Sequence, residues 1–174
     1  MTATDSQPLS TNLQGQSWFK FQLQRAPSVS FFAHEVKIPD ITNMAATYPT
    51  QFLNIPLTGD HLAYEALNIT FQVDTNFQNW LEIHNWMTGL TSPSGNTVPY
   101  ANMQNAAKVS PYGLYSEATL FITDSQRNPS LRFIFENTLP INLTGPQFTD
   151  TNNDMQYVSA TATFKFTKYR VELP

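Results

Sequence analysis

Gly59-Asp60-His61-Leu62-Ala63-Tyr64-Glu65-Ala66-Leu67-Asn68-Ile69-Thr70-Phe71-Gln72-Val73-Asp74 is the stretch on which the reading of this 174-residue chain turns. Leu67, Ile69, Phe71 and Val73 fall on one face of an extended segment, and Asn68, Thr70, Gln72 and Asp74 fall on the other. That is the period-2 pattern of a half-buried strand. A polar loop precedes it. A helix follows, because Thr75 is a good N-cap with Gln78 at capping-box spacing and Gly89 suits the left-handed position past a helix end. The helix is predicted over about 76–88. Phe77, Trp80, Ile83 and Met87 keep helical spacing within it, and Trp86 and Leu90 widen the apolar stripe.

Trp80 and Trp86 lie six residues apart, about 240° around a helix, so both cannot point straight into one small core. Trp80 is read as core. Trp86 is divided between the core and contact with another subunit. Phe77, Trp80, Ile83, Trp86 and Met87 are therefore the candidates for helix packing or inter-subunit contact.

Working outward from this unit, the chain is mostly strand. Apolar and polar residues alternate from Phe19 to Gln24, and Arg25-Ala26-Pro27-Ser28 breaks the pattern. Phe31 to Ile38 reads as a second strand. Pro39-Asp40 opens a loop that ends near Pro49, and Gln51 to Leu57 is extended again, with Pro56 marking an edge or a strand end. Thr91 to Tyr112 is a long connection rich in Ser, Pro, Gly and Asn. Tyr115–Thr123 and Leu131–Glu136 form a hairpin through the turn residues between them. A last strand spans Tyr157–Val171, with Val158, Ala160, Ala162, Phe164 and Phe166 on one face. The fold class expected is mainly β: an antiparallel β-sandwich or small barrel with one flanking α-helix. Residues 1–16 read as a flexible leader and residues 17–174 as a single domain.

Composition narrows the function. Only 13% of residues are charged and the formal net charge is −4, which disfavours a general polyanion binder that works through clustered Lys and Arg. There is no cysteine, so disulfides, thiolate catalysis and Cys-based zinc sites are excluded. Met1 to Gln16 lacks the basic start and apolar core of a secretory signal. No segment approaches the ~20 apolar residues of a membrane-spanning helix, so a soluble product without membrane contact is expected.

His34, His61 and His84 hold no metal or triad spacing and read as surface or hydrogen-bonded residues. Asp150-Thr151-Asn152-Asn153-Asp154 starts like a calcium loop, but Met155 stands at the turn glycine and Thr161 at the bidentate acid. Asn68-Ile69-Thr70 and Asn142-Leu143-Thr144 match the glycosylation pattern at the frequency that such a composition gives by chance. Lys165, Lys168 and Arg170 are the one basic cluster and read as a solvated strand end. No catalytic, cofactor-binding or metal-binding residue is assigned, and no enzyme activity is expected.

In order, the signals Trp18-Phe19-Lys20-Phe21, Val36-Lys37-Ile38-Pro39, Ala66 to Asp74, Asn79-Trp80 and Trp86 resemble the tail tube proteins of contractile-tailed bacteriophages. The resemblance runs from Trp18 to Leu173 and is most specific from Gly59 to Leu90. It implies a non-enzymatic virion protein, assembled in the host cytoplasm. Six copies would form a ring whose sheet edges join around a channel, and rings would stack head to tail within a sheath. Double-stranded DNA would pass through without specific binding, and sheath and baseplate proteins would be partners. The stretch Ile38 to Thr50 is implied as the contact with the next ring, through Ile38, Pro39, Asp40, Ile41, Met44 and Tyr48. The extended segments on either side are implied as channel wall. The alternatives are a tube-fold baseplate or terminator protein, for which the 91–112 insert leaves room, and a β-sandwich carbohydrate-binding module using Trp86 or Tyr100 as a stacking platform.

Overall fold

The computed structural model describes residues 13–91, 114–149 and 157–173. Most of the expected leader, the 91–112 connection beyond Thr91, with Tyr100, and the Asp150–Asp154 run lie outside the described residues.

The body is a strongly curled antiparallel sheet. Its strands are β1 (Phe19–Leu23), β2 (Ala33–Lys37), β7 (Leu67–Gln72), β8 (Ser116–Thr123), β9 (Pro129–Leu143), β10 (Ser159–Lys165) and β11 (Lys168–Glu172), in the order β1-β8-β9-β10-β7-β2 with β11 also on β9. The first half of β9 pairs with β8 and β11, and its second half pairs with β10. One long strand thus belongs to two faces of a sandwich. The change of face falls at Asn137, whose φ of 55° lies in the left-handed region that Asn tolerates. The β10–β11 corner lies opposite, where Thr167 N–H donates to the Glu136 carbonyl (3.0 Å) and Asn137 Nδ2 to Thr167 Oγ1 (3.2 Å).

The core follows the alternation read from the sequence. Leu67, Ile69, Phe71, Ala160, Ala162 and Phe164 are buried between the faces with Phe21, Leu23, Leu120 and Phe135. Outward from β7 and β10 stand hydroxyls and amides. Thr70 and Thr161 hydroxyls meet at 3.3 Å, and Thr163 Oγ1 donates to Asn68 Oδ1 at 2.9 Å. The predicted β8–β9 hairpin is present. Asp124 Oδ1 accepts from the Gln126 and Asn128 amides (2.8 Å each), which holds the turn.

Four local expectations are corrected. The expected single strand from Tyr157 to Val171 is two strands, because the chain changes face at Phe166–Thr167; Phe166 still packs inward on Phe135 (5.1 Å), so the alternation runs through the corner unbroken. The expected strand start at Phe31 is the end of a short helix, α1 (Pro27–Phe32), which adds a second helix to the fold. Pro27 opens it, where a missing N–H costs nothing, Val29 is buried, and Ser30 Oγ accepts from the Leu23 amide (2.7 Å). Six residues are too few to show helical periodicity.

The third correction concerns the second helix, α2, which spans Gln78–Leu90. Thr75 does not cap it. Phe77 holds the N-cap position with φ 58°, and the buried Asn79 side chain makes the junction. Its Oδ1 accepts from the Trp80 amide (2.8 Å) and its Nδ2 donates to the Gln72 carbonyl (2.7 Å), tying helix to β7. Gly89 lies buried in the last turn rather than beyond it, and the Thr91 amide closes the end on the Met87 carbonyl (3.2 Å).

The expected loop from Pro39 to Pro49 and the extended segment after it are the two legs of one ribbon. Strand β3 (Ile41–Asn43) pairs with β6 (Leu62–Tyr64), and β4 (Ala46–Pro49) pairs with β5 (Asn54–Leu57). The ribbon leaves the body after Lys37 and returns at Leu67.

Candidate functional site: the apolar arm

The ribbon between Ile38 and Ala66 is an arm with little cover from the rest of the molecule. Every residue of β3, β4 and β5 is exposed. At 3.3 Å per residue, the nine residues from Ile41 to Pro49 reach about 30 Å. Such a ribbon has no buried face to stabilise it, and a lone hairpin is marginal in water. Local devices hold it instead.

At its root, Lys37 pairs with Asp40 (3.0 Å), and the Asp40 carbonyl accepts from the Glu65 amide (3.0 Å). Tyr64 packs on Phe166 (5.7 Å) and Tyr169 (5.3 Å), joining the arm to the β10–β11 corner. Burial, and then the neighbouring Tyr64, push the Tyr169 phenol above its ordinary pKa. In mid-arm the Met44 amide reaches the His61 carbonyl (3.3 Å), and Gly59 lies so close to the Met44 carbonyl that no Cβ fits. At the tip, the Thr50 amide donates to the Leu53 carbonyl (3.0 Å), and Thr50 Oγ1 accepts from the Leu53 amide (3.2 Å). Pro56 lies opposite Thr47 in a two-stranded ladder, where both strands are edges and its missing N–H is tolerated.

What the arm displays is apolar. Ile41, Met44, Tyr48, Phe52, Leu53, Ile55, Leu57 and Leu62 are exposed, with Phe52 at 90%. Exposed apolar residues gathered on one ribbon are the kind of surface found at interaction sites. Of the residues singled out in the sequence, Ile38 and Asp40 lie at the root, Pro39 is buried there, Ile41 is on β3, Met44 between β3 and β4, and Tyr48 on β4 opposite Ile55. Phe52, Leu53, Ile55, Leu57 and Leu62 were not among them. Phe52, Leu53, Ile55 and Leu57 fall in the extended segment expected over Gln51–Leu57, and Leu62 falls in the expected polar loop, which the structure makes strand β6.

The helix candidates turn to the chain's own core. Ile83 and Trp86 are buried, with Trp80 and Met87 packed at the core's margin, and Phe77 is half-buried beside Phe148 (6.1 Å). Of the two tryptophans, Trp86, divided in the sequence between core and subunit contact, is the more deeply buried, and Trp80, expected as core, packs at the core's margin. Trp86 is 2% exposed, donates from Nε1 to the Leu114 carbonyl (3.2 Å) and lies under the Arg25 guanidinium (5.2 Å). Burial lowers the Arg25 pKa. Trp80 stacks on His84 (5.0 Å) and donates to the Thr144 carbonyl (3.1 Å). A buried Trp86 offers no platform to a sugar.

Two residues of the basic cluster, Lys168 and Arg170, belong to an ion-pair lattice across β9 and β11, and the third, Lys165, is an exposed residue of β10. Lys168 (3.4 Å) and Arg170 (3.7 Å) meet Glu136, Arg170 also meets Glu172 (3.2 Å), and Glu172 pairs with Arg132. Among the described residues, no three His, Asp or Glu gather as a metal site, and no helix is long and apolar enough to cross a membrane.

No family model matches the sequence, and no curated protein matches it. Solved structures share its fold along nearly the whole chain. A chain of the sheath/tube terminator of an extracellular contractile injection system (PVC, extended state) superposes with a TM-score of 0.62 at 12% identity, covering 95% of this chain and 99% of that one. A chain of the PVC sheath-tube complex gives 0.58 at 14% identity, covering 100% and 99%. A chain of the tube-terminating cap of the anti-feeding prophage gives 0.59 at 14%, covering 100% of both. The fold is that of tube and tube-terminator proteins of contractile injection systems. At such identities the likeness is one of fold.

Proposed function

We propose that this chain is a structural, non-enzymatic subunit of a contractile tail, which closes into hexameric rings that stack into a tube. The reading rests above all on one observation, the rigidly tipped apolar arm that the described residues leave uncovered. Hidden between copies, that surface stabilises an assembly; left bare, it promotes aggregation. Ile38 to Tyr48 form the leading leg of this ring-stacking contact, and β5 and β6 complete it. Sheath and baseplate proteins are the outer partners. Double-stranded DNA is the cargo, and a chain of formal net charge −4 is suited to pass it without retaining it. Assembly in the host cytoplasm and residence in the virion tail follow from this role.

A terminator or baseplate protein is the second reading, favoured by the likeness to terminator and cap structures. Negative-stain imaging of the purified chain separates the two: long uniform tubes support a tube subunit, and single or paired rings support a terminator. Replacing residues 46–57 by Gly-Gly removes the outer arm. This variant is expected to fold and to lose stacking; tubes of unchanged length would refute the role of the arm, and a wild-type chain monomeric at every concentration would refute the reading as a whole.

A further inference from the structure

An arm that carries stacking needs a socket, and the fold places a candidate at the opposite end of the molecule. Lys37, Asn68 and Thr163 share a rung at the arm end, and Ala33, Phe71 and Ala160 lie at the far end of the same strands. Three connections meet at that far end. Helix α1 enters β2, β7 leaves toward α2, and the chain enters β10 through Tyr157. The Val73 amide clasps the Val158 carbonyl there (2.8 Å). Ser28 Oγ donates to Glu82 (2.7 Å), joining α1 to α2.

This end is rimmed with aromatic rings. Phe31 is 83% exposed, Tyr157 75% and Phe148 67%, and Phe148 rests on Phe77 at the start of α2. Phe31 meets Phe32 edge-on (5.0 Å) and still presents most of its ring to solvent.

We infer that the rim of Phe31, Phe77, Phe148 and Tyr157 receives the arm tip, Phe52 and Leu53, of a second copy; the inference rests on the stacking role proposed above. Three observations select this partner. The tip is uncharged from Ala46 to Gly59, as suits an aromatic socket. It is preorganised by the Thr50–Leu53 bonds, so docking orders little chain. From Ile38 to Ala66 the arm carries no Lys or Arg, and its acids are Asp60, Glu65 and the Lys37-paired Asp40, so a second arm offers it no complementary charge. A contact between opposite ends is also heterologous, leaving one arm and one rim free at each step, which is the condition for an open polymer.

The test uses single rings of two variants of the full chain. Phe52→Asp spoils the tip and keeps the rim; Phe31→Asp with Tyr157→Asp spoils the rim and keeps the tip. Each alone is expected to lose stacking, with all exchanged residues at exposed positions. Mixed, the two are expected to form two-ring stacks of doubled mass that grow no further, because one good tip meets one good rim. Rim variants that form tubes of wild-type length, or a mixture no larger than its parts, would overturn the inference while leaving the tube role standing. Absence of wild-type tubes would overturn both. Because the chain lacks cysteine, disulfide trapping is an independent measure: Phe52→Cys chains mixed with Tyr157→Cys chains are expected to cross-link to each other. Equal cross-linking of Phe52→Cys chains alone would mean that arms meet arms, against the proposal.

Discussion

Trp86 and Trp80 show how much a single position on a helix decides. Both are large, both donate from the indole, and six residues separate them; one is buried under Phe164 (6.1 Å) and Arg25 (5.2 Å), and the other closes the core's margin. Trp86→Ala is expected to cost about 3–5 kcal/mol, as for other buried aromatics. Trp80→Ala is expected to cost less, roughly 1–3 kcal/mol. Urea unfolding of the two variants checks the order, and a larger loss at Trp80 would contradict the packing. Helical spacing pointed to a stripe that holds both rings. It assigns Trp80 to the core and leaves Trp86 divided, whereas the order of burial depends on Leu114 and Phe164, which arrive from distant segments.

At the scale of elements, legibility follows burial. Strand β7 was plain in the sequence because one of its faces is wholly buried, and a buried face imposes alternation. The arm was read only as a loop and an extended piece, because a ribbon wet on both sides imposes no pattern. Its architecture shows instead in Gly59, which lies against the Met44 carbonyl. Gly59→Ala is expected to loosen the arm and change the body's stability by less than about 1 kcal/mol. Hydrogen exchange would show faster exchange from Ile41 to Tyr64, the Met44 amide included, with β7 and β10 still protected. Protection retained along the arm would mean that the close approach is not essential.

For the whole molecule, the self-assembly proposed for the uncovered arm would make stability depend on concentration. If copies bind only the folded chain, assembly adds to its stability by mass action. The thermal midpoint of the wild-type chain is therefore expected to rise with protein concentration, and that of Phe52→Asp to stay flat. Scanning calorimetry over a hundredfold range of concentration measures both, and a flat wild-type profile would count against self-assembly.

The amino-acid order by itself determined a β-rich chain, the inward faces of β1, β7 and β10, the β8–β9 hairpin and a helix after β7. Each is written in local periodicity and turn chemistry, which need no knowledge of the partner strand. The tertiary structure alone decided where β9 and the β10–β11 segment change face, which tryptophan is buried, that two distant legs zip into an arm, and that exposed aromatics collect at the opposite end. These are relations between segments far apart in the chain, and no window of sequence carries the distance between two such segments.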